Sequence, residues 1–259
     1  MPQLTHFLAL PLVNPSSKQQ LIQSLAHLHS TISSHREADT LTKALRPLHT
    51  LHFTLAVMSL SQVQLSSAVA LLQELKPSEL LKRNNLKIEL VGMKPLQSRT
   101  TTSVLYAYPF EDGEVRSFAE DVLKIFREKG FVDPVGQEEA KEERRKLEGG
   151  GESEPDGKAG GGSAVGAKPQ RKSKRKSKDL LLHATLLNTI YAKSNRGKGR
   201  KGPLKFDATP FVEKFGDQVW AKDVLLDKLV ICEMGAKEDE SGVVRYKEVG
   251  ALQLFPDQK

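Results

Sequence analysis

Cysteine occurs once in these 259 residues, at Cys232. A single thiol excludes an intramolecular disulfide and any cysteine-cluster zinc site, and it fits a reducing compartment, cytosol or nucleus. Long apolar runs are also missing. No stretch approaches the roughly 20 apolar residues that span a bilayer, so no membrane partner is expected. The first residues, Met1-Pro2-Gln3-Leu4-Thr5-His6, carry no basic region ahead of an apolar run, which disfavours a secretory signal. The hydrophobic share is only 38%, low for a globular protein, so part of the chain is expected not to fold. No glycine-rich phosphate loop follows an apolar strand pattern, which argues against P-loop nucleotide hydrolysis.

What is present begins with a local charge. The formal net charge is +7, and Lys168, Arg171, Lys172, Lys174, Arg175, Lys176 and Lys178 match it alone. The rest of the chain is therefore close to neutral, which is not the composition of a uniformly basic nucleic-acid-binding surface. That run closes a low-complexity stretch over residues 136–178: a Glu-rich block, a glycine run, a Gly/Ser/Pro segment and then the cations. With so little apolar surface to offset ordering entropy, the stretch reads as a disordered insertion in a single domain spanning residues 1–259. Its part from Glu138 to Leu147 has the composition of a transient charged helix. The basic run has three readings: a nuclear localisation signal, an electrostatic arm for RNA, or a solvated tether. The compartment expected is nucleus, cytoplasm or both. A second cluster, Lys193, Arg196, Lys198, Arg200, Lys201 and Lys205, reads either as the lining of a cleft mouth or as a solvated loop.

Thr5 to Val13 has the pattern of a strand that stops at Asn14-Pro15. Leu21, Leu25, Leu28 and Ile32 recur at helical spacing. Leu48 to Leu60 reads as a second strand. Ser61 and Gln64 then form a capping-box pattern that opens a helix carrying Leu65, Ala68, Val69, Leu72 and Leu75, with Pro77 ending it. Strands are predicted over Leu86–Leu90, Val104–Phe110, Leu180–Leu187, Leu229–Met234 and Val243–Leu254, the last two joined by a Glu-Ser-Gly turn. Helices are predicted from Val115 to Gly130 and from Thr209-Pro210 to Gly216. The irregular mixture favours an α+β fold over a doubly wound parallel sheet.

Two of the strands carry the same tripeptide type, His52-Phe53-Thr54 and His183-Ala184-Thr185, each followed by leucine. Side chains alternate along a strand. His52 and Thr54 therefore share one face, and Leu51, Phe53 and Leu55 share the other; His183 and Thr185 likewise oppose Leu182, Ala184 and Leu186. The two residues of each pair sit roughly 6–7 Å apart along the strand, two residues of rise. That spacing lets the ring reach a reacting oxygen while the hydroxyl holds a phosphate oxygen. A lone His-x-Thr carries no information. His29-Ser30-Thr31 is a false match, on a helix where residues two apart face different sides. His6, His27, His35 and His49 read as surface or rim residues, and Cys232 as a buried strand residue without chemistry. The paired motifs have two readings: a catalytic pair, or two partly buried histidines hydrogen-bonded at sheet edges.

The chain resembles the two-histidine (2H) phosphoesterase superfamily, named for two His-x-Thr/Ser motifs. Within it, the resemblance is to the branch holding the central domain of A-kinase anchoring protein 7 and the C-terminal domain of activating signal cointegrator 1 complex subunit 1. The segments that carry it are Thr5–Leu12, Leu51–Met58, Val104–Ala107 and Leu182–Thr189. The resemblance implies a bilobal fold, with two antiparallel sheets facing a central cleft, outer helices and pseudo-twofold symmetry. It implies metal-independent hydrolysis of a 2′,3′-cyclic or 2′-5′ phosphodiester in RNA ends or nucleotides, with no cofactor. His52 and His183 would be the acid–base pair, and Thr54 and Thr185 the phosphate-binding hydroxyls. The alternative is a non-catalytic nucleotide- or RNA-binding subunit of a nuclear transcription-coactivator or DNA-repair complex; a kinase-anchoring scaffold ranks last. The cointegrator subunit carries an RNA-binding KH domain ahead of its phosphoesterase domain. Here the first strand starts within a few residues of Met1, so no KH domain is expected.

Overall fold

A computed structural model describes residues 3–81, 85–132, 180–192 and 202–255. The chain opens with β1 (His6–Pro11), α1 (Lys18–Ser33), α2 (Ala38–Ala44), a 3-10 turn (Leu48–Thr50) and β2 (His52–Met58). Next come α3 (Gln62–Glu74), α4 (Pro77–Leu80), β3 (Lys87–Pro95), β4 (Val104–Phe110) and α5 (Gly113–Glu128). After them follow β5 (Ala184–Asn188), a 3-10 turn (Thr189–Tyr191), α6 (Thr209–Phe215), β6 (Val219–Leu225) and β7 (Lys228–Glu233). The short β8 (Lys237–Glu238), β9 (Val244–Arg245) and β10 (Glu248–Gln253) complete it. The insertion over residues 136–178 and its basic run lie outside the described residues, as does the second basic cluster except for Lys205.

The fold is α+β, as expected. Eight strands, all paired antiparallel, form one curled sheet in the order β10-β7-β1-β2-β5-β4-β3-β6, while β8 and β9 make a separate hairpin. The two expected lobes are its four-stranded halves, β10-β7-β1-β2 and β5-β4-β3-β6. They meet edge to edge through one register pair, Phe53 opposite Ala184. An approximate twofold passes through that pair. It relates β2 to β5 and β1 to β4, and it relates α1, between β1 and β2, to α5, between β4 and β5. Each of these helices is 16 residues long.

Helical spacing explains which faces are buried. α1 buries Leu21, Leu28 and Ile32, and Ser24 Oγ donates to the Trp220 carbonyl at 2.9 Å, tying α1 to β6. α5 buries Val115, Phe118, Ala119, Val122, Leu123 and Phe126. The capping box of α3 forms as predicted: Gln64 N–H donates to Ser61 Oγ and Ser61 N–H donates to Gln64 Oε1. The main core holds Leu8, Leu10, Phe53, Leu55, Ala184 and Leu186. The opposite face of the sheet carries a smaller cluster, Phe7, Ala9, Val230 and Cys232.

Several boundaries differ from expectation. Residues 48–50 coil into a 3-10 turn, closed by Thr50 Oγ1 donating to the Pro47 carbonyl at 2.7 Å, so β2 begins at His52. β5 begins at Ala184, which leaves His183 one residue ahead of the strand. The Val243–Leu254 segment is two strands, β9 and β10, rather than one. Neither α2 nor β6 has a clear signature in the sequence. α2 buries only Leu41 and Ala44 over seven residues. In β6 the alternation breaks at a bulge, where Asp223 takes a φ of 52°. His6 is buried rather than a rim residue.

Candidate active site

The register fixes the site. With Phe53 opposite Ala184 in an antiparallel pair, the flanking positions fall opposite each other crosswise: His52 faces Thr185, and Thr54 faces His183. Directly opposed positions on one face bring Cβ atoms about 4.5–5.5 Å apart, and diagonal ones about 7–8 Å. The two imidazoles are therefore diagonal neighbours, each with the other motif's hydroxyl beside it. The alternation that begins ahead of β5 holds as well. Leu182, Ala184 and Leu186 are buried, whereas His183 and Thr185 are partly exposed. His52 and Thr54 show the same partial exposure between buried Leu51, Phe53 and Leu55. The structure thus brings together all four motif residues.

Both rings are anchored in the same way. His52 Nδ1 lies 2.7 Å from the Thr50 carbonyl, and His183 Nδ1 lies 3.0 Å from the Leu181 carbonyl. A carbonyl only accepts, so the network assigns the hydrogen of each ring to Nδ1 and leaves Nε2 for proton exchange. His52 Nε2 is 2.9 Å from Thr54 Oγ1 and accepts from that hydroxyl in the neutral ring. Each imidazole also has an aromatic neighbour on the adjoining strand. Phe7 of β1 lies 4.9 Å from His52 and Tyr106 of β4 lies 5.3 Å from His183, between ring centroids. These partners obey the same twofold.

The electrostatics favour a neutral His52. Burial pushes its pKa from 6.5 down to about 4; the bond to the Thr50 carbonyl opposes this, and Arg46 and His183 add to the depression. Tyr246, edge-on to His52 at 5.3 Å, is pushed up to about 12, chiefly by burial, and stays a neutral phenol. Burial likewise raises Tyr106. Cys232 is a buried thiol pushed up to about 12 by desolvation, which fits its reading as an inert strand residue.

Two hollows of about 170 Å³ each meet at His52. One is lined by Arg46, His52, Thr54, Thr185, Asn188 and Tyr246, among others. The other extends over the Phe7, Ala9, Val230 and Cys232 face and is rimmed by Lys228, Arg245 and Glu248. His49 lines this second hollow, while His29 lies exposed on α1, away from the motif strands. Sequence reasoning misses Arg46, Tyr191 and Tyr246. They come from turns and a loop, where no periodicity marks a residue that reaches the site. Among the described residues no group of three or more His, Cys, Asp or Glu side chains is placed to hold a metal ion, and no helix is long and apolar enough to cross a membrane.

A family model, the AKAP7 2'5' RNA ligase-like domain, matches residues 4–254. An uncharacterized protein of Schizosaccharomyces pombe is 39% identical over 79 residues, which is 30% of this chain and 36% of that protein. The matched segment therefore spans about a third of that relative. Among solved structures, E. coli LigT complexed with NADP+ is similar at 13% identity and a TM-score of 0.48, over 99% of this chain and 100% of the other. TT0787 of Thermus thermophilus is similar at 15% identity and a TM-score of 0.46, over 96% and 97%.

Proposed function

Because this chain belongs to the AKAP7 2'5' RNA ligase-like domain family, and so to the 2H phosphoesterases, we propose that it hydrolyses a 2′,3′-cyclic or 2′-5′ phosphodiester in nucleotides or RNA ends, without a metal. The observation that carries this reading is the crosswise register of the two motifs about Phe53 and Ala184. It offers one phosphorus atom two imidazole nitrogens and two hydroxyls on a single face.

His52, neutral at physiological pH, is the base. Its Nε2 takes the proton of the attacking water or ribose hydroxyl. His183 gives a proton from Nε2 to the leaving oxygen. Thr54 turns its hydroxyl from His52 to a non-bridging oxygen, and Thr185 donates to another, where charge builds in the transition state. The negative charge of the bound diester lifts the His52 pKa towards the range that suits proton transfer. Kinship with the cointegrator subunit is part of the proposal, supported by the run Leu182–Thr189.

The test is a pair of single variants, His52→Ala and His183→Ala, assayed on 2′,3′-cyclic nucleotides and 2′-5′-linked oligoadenylate. Each is expected to lose about 10²–10⁴-fold in kcat, with wild-type turnover unchanged by EDTA. Wild-type turnover in either variant overturns the mechanism. Tight binding of a nucleoside monophosphate, with no hydrolysis of any diester, favours the binding-subunit alternative.

A further inference from the structure

Arg46 is buried, at 8% exposure, and it lines the same hollow as His52, Thr54 and Thr185. The backbone places it there. Arg46 N–H donates to the Leu186 carbonyl at 2.9 Å, and Leu45 bridges Leu187, so the turn before β2 is sewn to β5 beside Thr185. The guanidinium stacks on the Tyr191 ring at 3.9 Å, and Nη2 donates to Tyr246 Oη at 3.0 Å. Tyr246 and Tyr191 thus flank the guanidinium. Neither partner is a carboxylate.

The nearby cations differ. Lys228 is paired with Glu248 at 2.6 Å and Arg245 with Asp239 at 2.5 Å. Among the described residues Arg46 pairs with no carboxylate, and its side chain makes one hydrogen bond. A guanidinium has five N–H donors in a fixed fork. The remaining donors are left for whatever occupies the hollow. A buried cation is costly unless paired, and this one lines the same hollow as the motif hydroxyls of Thr54 and Thr185.

We infer that Arg46 is the anion-binding residue of this cleft: its guanidinium takes a non-bridging oxygen of the bound phosphoryl group, held in aim by the Tyr191 stack and the Tyr246 hydroxyl. The inference deepens the phosphodiesterase reading and rests on it for the identity of the anion. It gives the cleft a fixed charge that the two threonines lack. Burial keeps His52 neutral and Arg46 adds to that depression, so an anion seated on Arg46 favours charging of the base.

The experiment reads affinity rather than turnover. Inorganic phosphate and adenosine 3′-monophosphate are titrated calorimetrically against wild type, Arg46→Met and Arg46→Lys, with uncharged adenosine as control and thermal melts to verify folding. The expected result is a loss of at least about tenfold in phosphate affinity for Arg46→Met, a smaller loss for Arg46→Lys, weaker salt dependence in Arg46→Met and no change for adenosine. A folded Arg46→Met variant that binds phosphate as wild type does overturns the inference, since Arg46 then serves only to hold the two tyrosines. If Arg46→Met does not fold, Arg46→Lys decides: weakened phosphate binding supports the role and unchanged binding overturns it. Failure of the hydrolytic reading shows separately, as absent diester turnover in a wild type that still binds phosphate through Arg46.

Discussion

At the scale of single residues, His52 links stability to pH. Its pKa falls from 6.5 to about 4 on folding, so between these values the unfolded chain binds a proton that the folded chain does not. Stability is full above about pH 6.5 and declines as the pH drops towards 4, by an amount on the order of 2–3 kcal/mol for this group given its partial exposure. His52→Gln removes that contribution. Urea titrations of wild type and variant are expected to differ in slope between pH 6.5 and 4.5, the variant being flatter; parallel curves would show that His52 charges freely in the fold. The motif residues are legible in the sequence because a strand displays its two faces alternately, and His52, Thr54, His183 and Thr185 obey that period. Arg46 is not. Its partners Tyr191 and Tyr246 stand about 150 and 200 positions away, and no local pattern reports on such a contact.

At the scale of elements, bulges account for most of what the sequence conceals. The alternation marks β3 only over Leu86–Leu90, whereas the strand runs on to Pro95 through Gly92, where φ is 62°. The bulge lets Gly92 accept from Trp220 Nε1 at 2.7 Å and lie against the Tyr108 ring. A Cβ at this position would sit 2.6 Å from Tyr108 atoms, and the left-handed backbone disfavours any side chain. Gly92→Ala is expected to cost about 2–4 kcal/mol, read as a lower urea midpoint at unchanged m. An unshifted midpoint would mean that the Tyr108 ring moves aside freely. The capping box of α3 is readable because Ser61 and Gln64 are three residues apart and both partners are local. β6 is hidden because its central Asp223 imitates a turn.

At the scale of the whole molecule, the two half-sheets draw on the chain unequally. β5, β4, β3 and β6 fall within one span of the chain, residues 87–225, while the other half places β1 between β2 and β7, which follows that span, with β10 outside it. A chain ending after Leu226 would lack β7 and β10 and leave the Phe7 and Ala9 edge unpaired. Such a fragment is expected to be insoluble and inactive, as sedimentation and a diester assay would show; a soluble fragment with turnover would contradict this. The α+β class and the symmetric placement of the motifs are readable from the sequence, but this pairing of early with late strands is not, because the hydrophobic pattern gives strands and not their neighbours.

The interleaving also sets when the molecule becomes competent during synthesis. Both histidine motifs precede the last strands in the chain, and β1 has only β2 beside it until residues 228–233 are available. A chain interrupted before that point is therefore expected to leave the β1 edge bare, so that the motif pair is presented on a closed sheet only once the late strands have joined it.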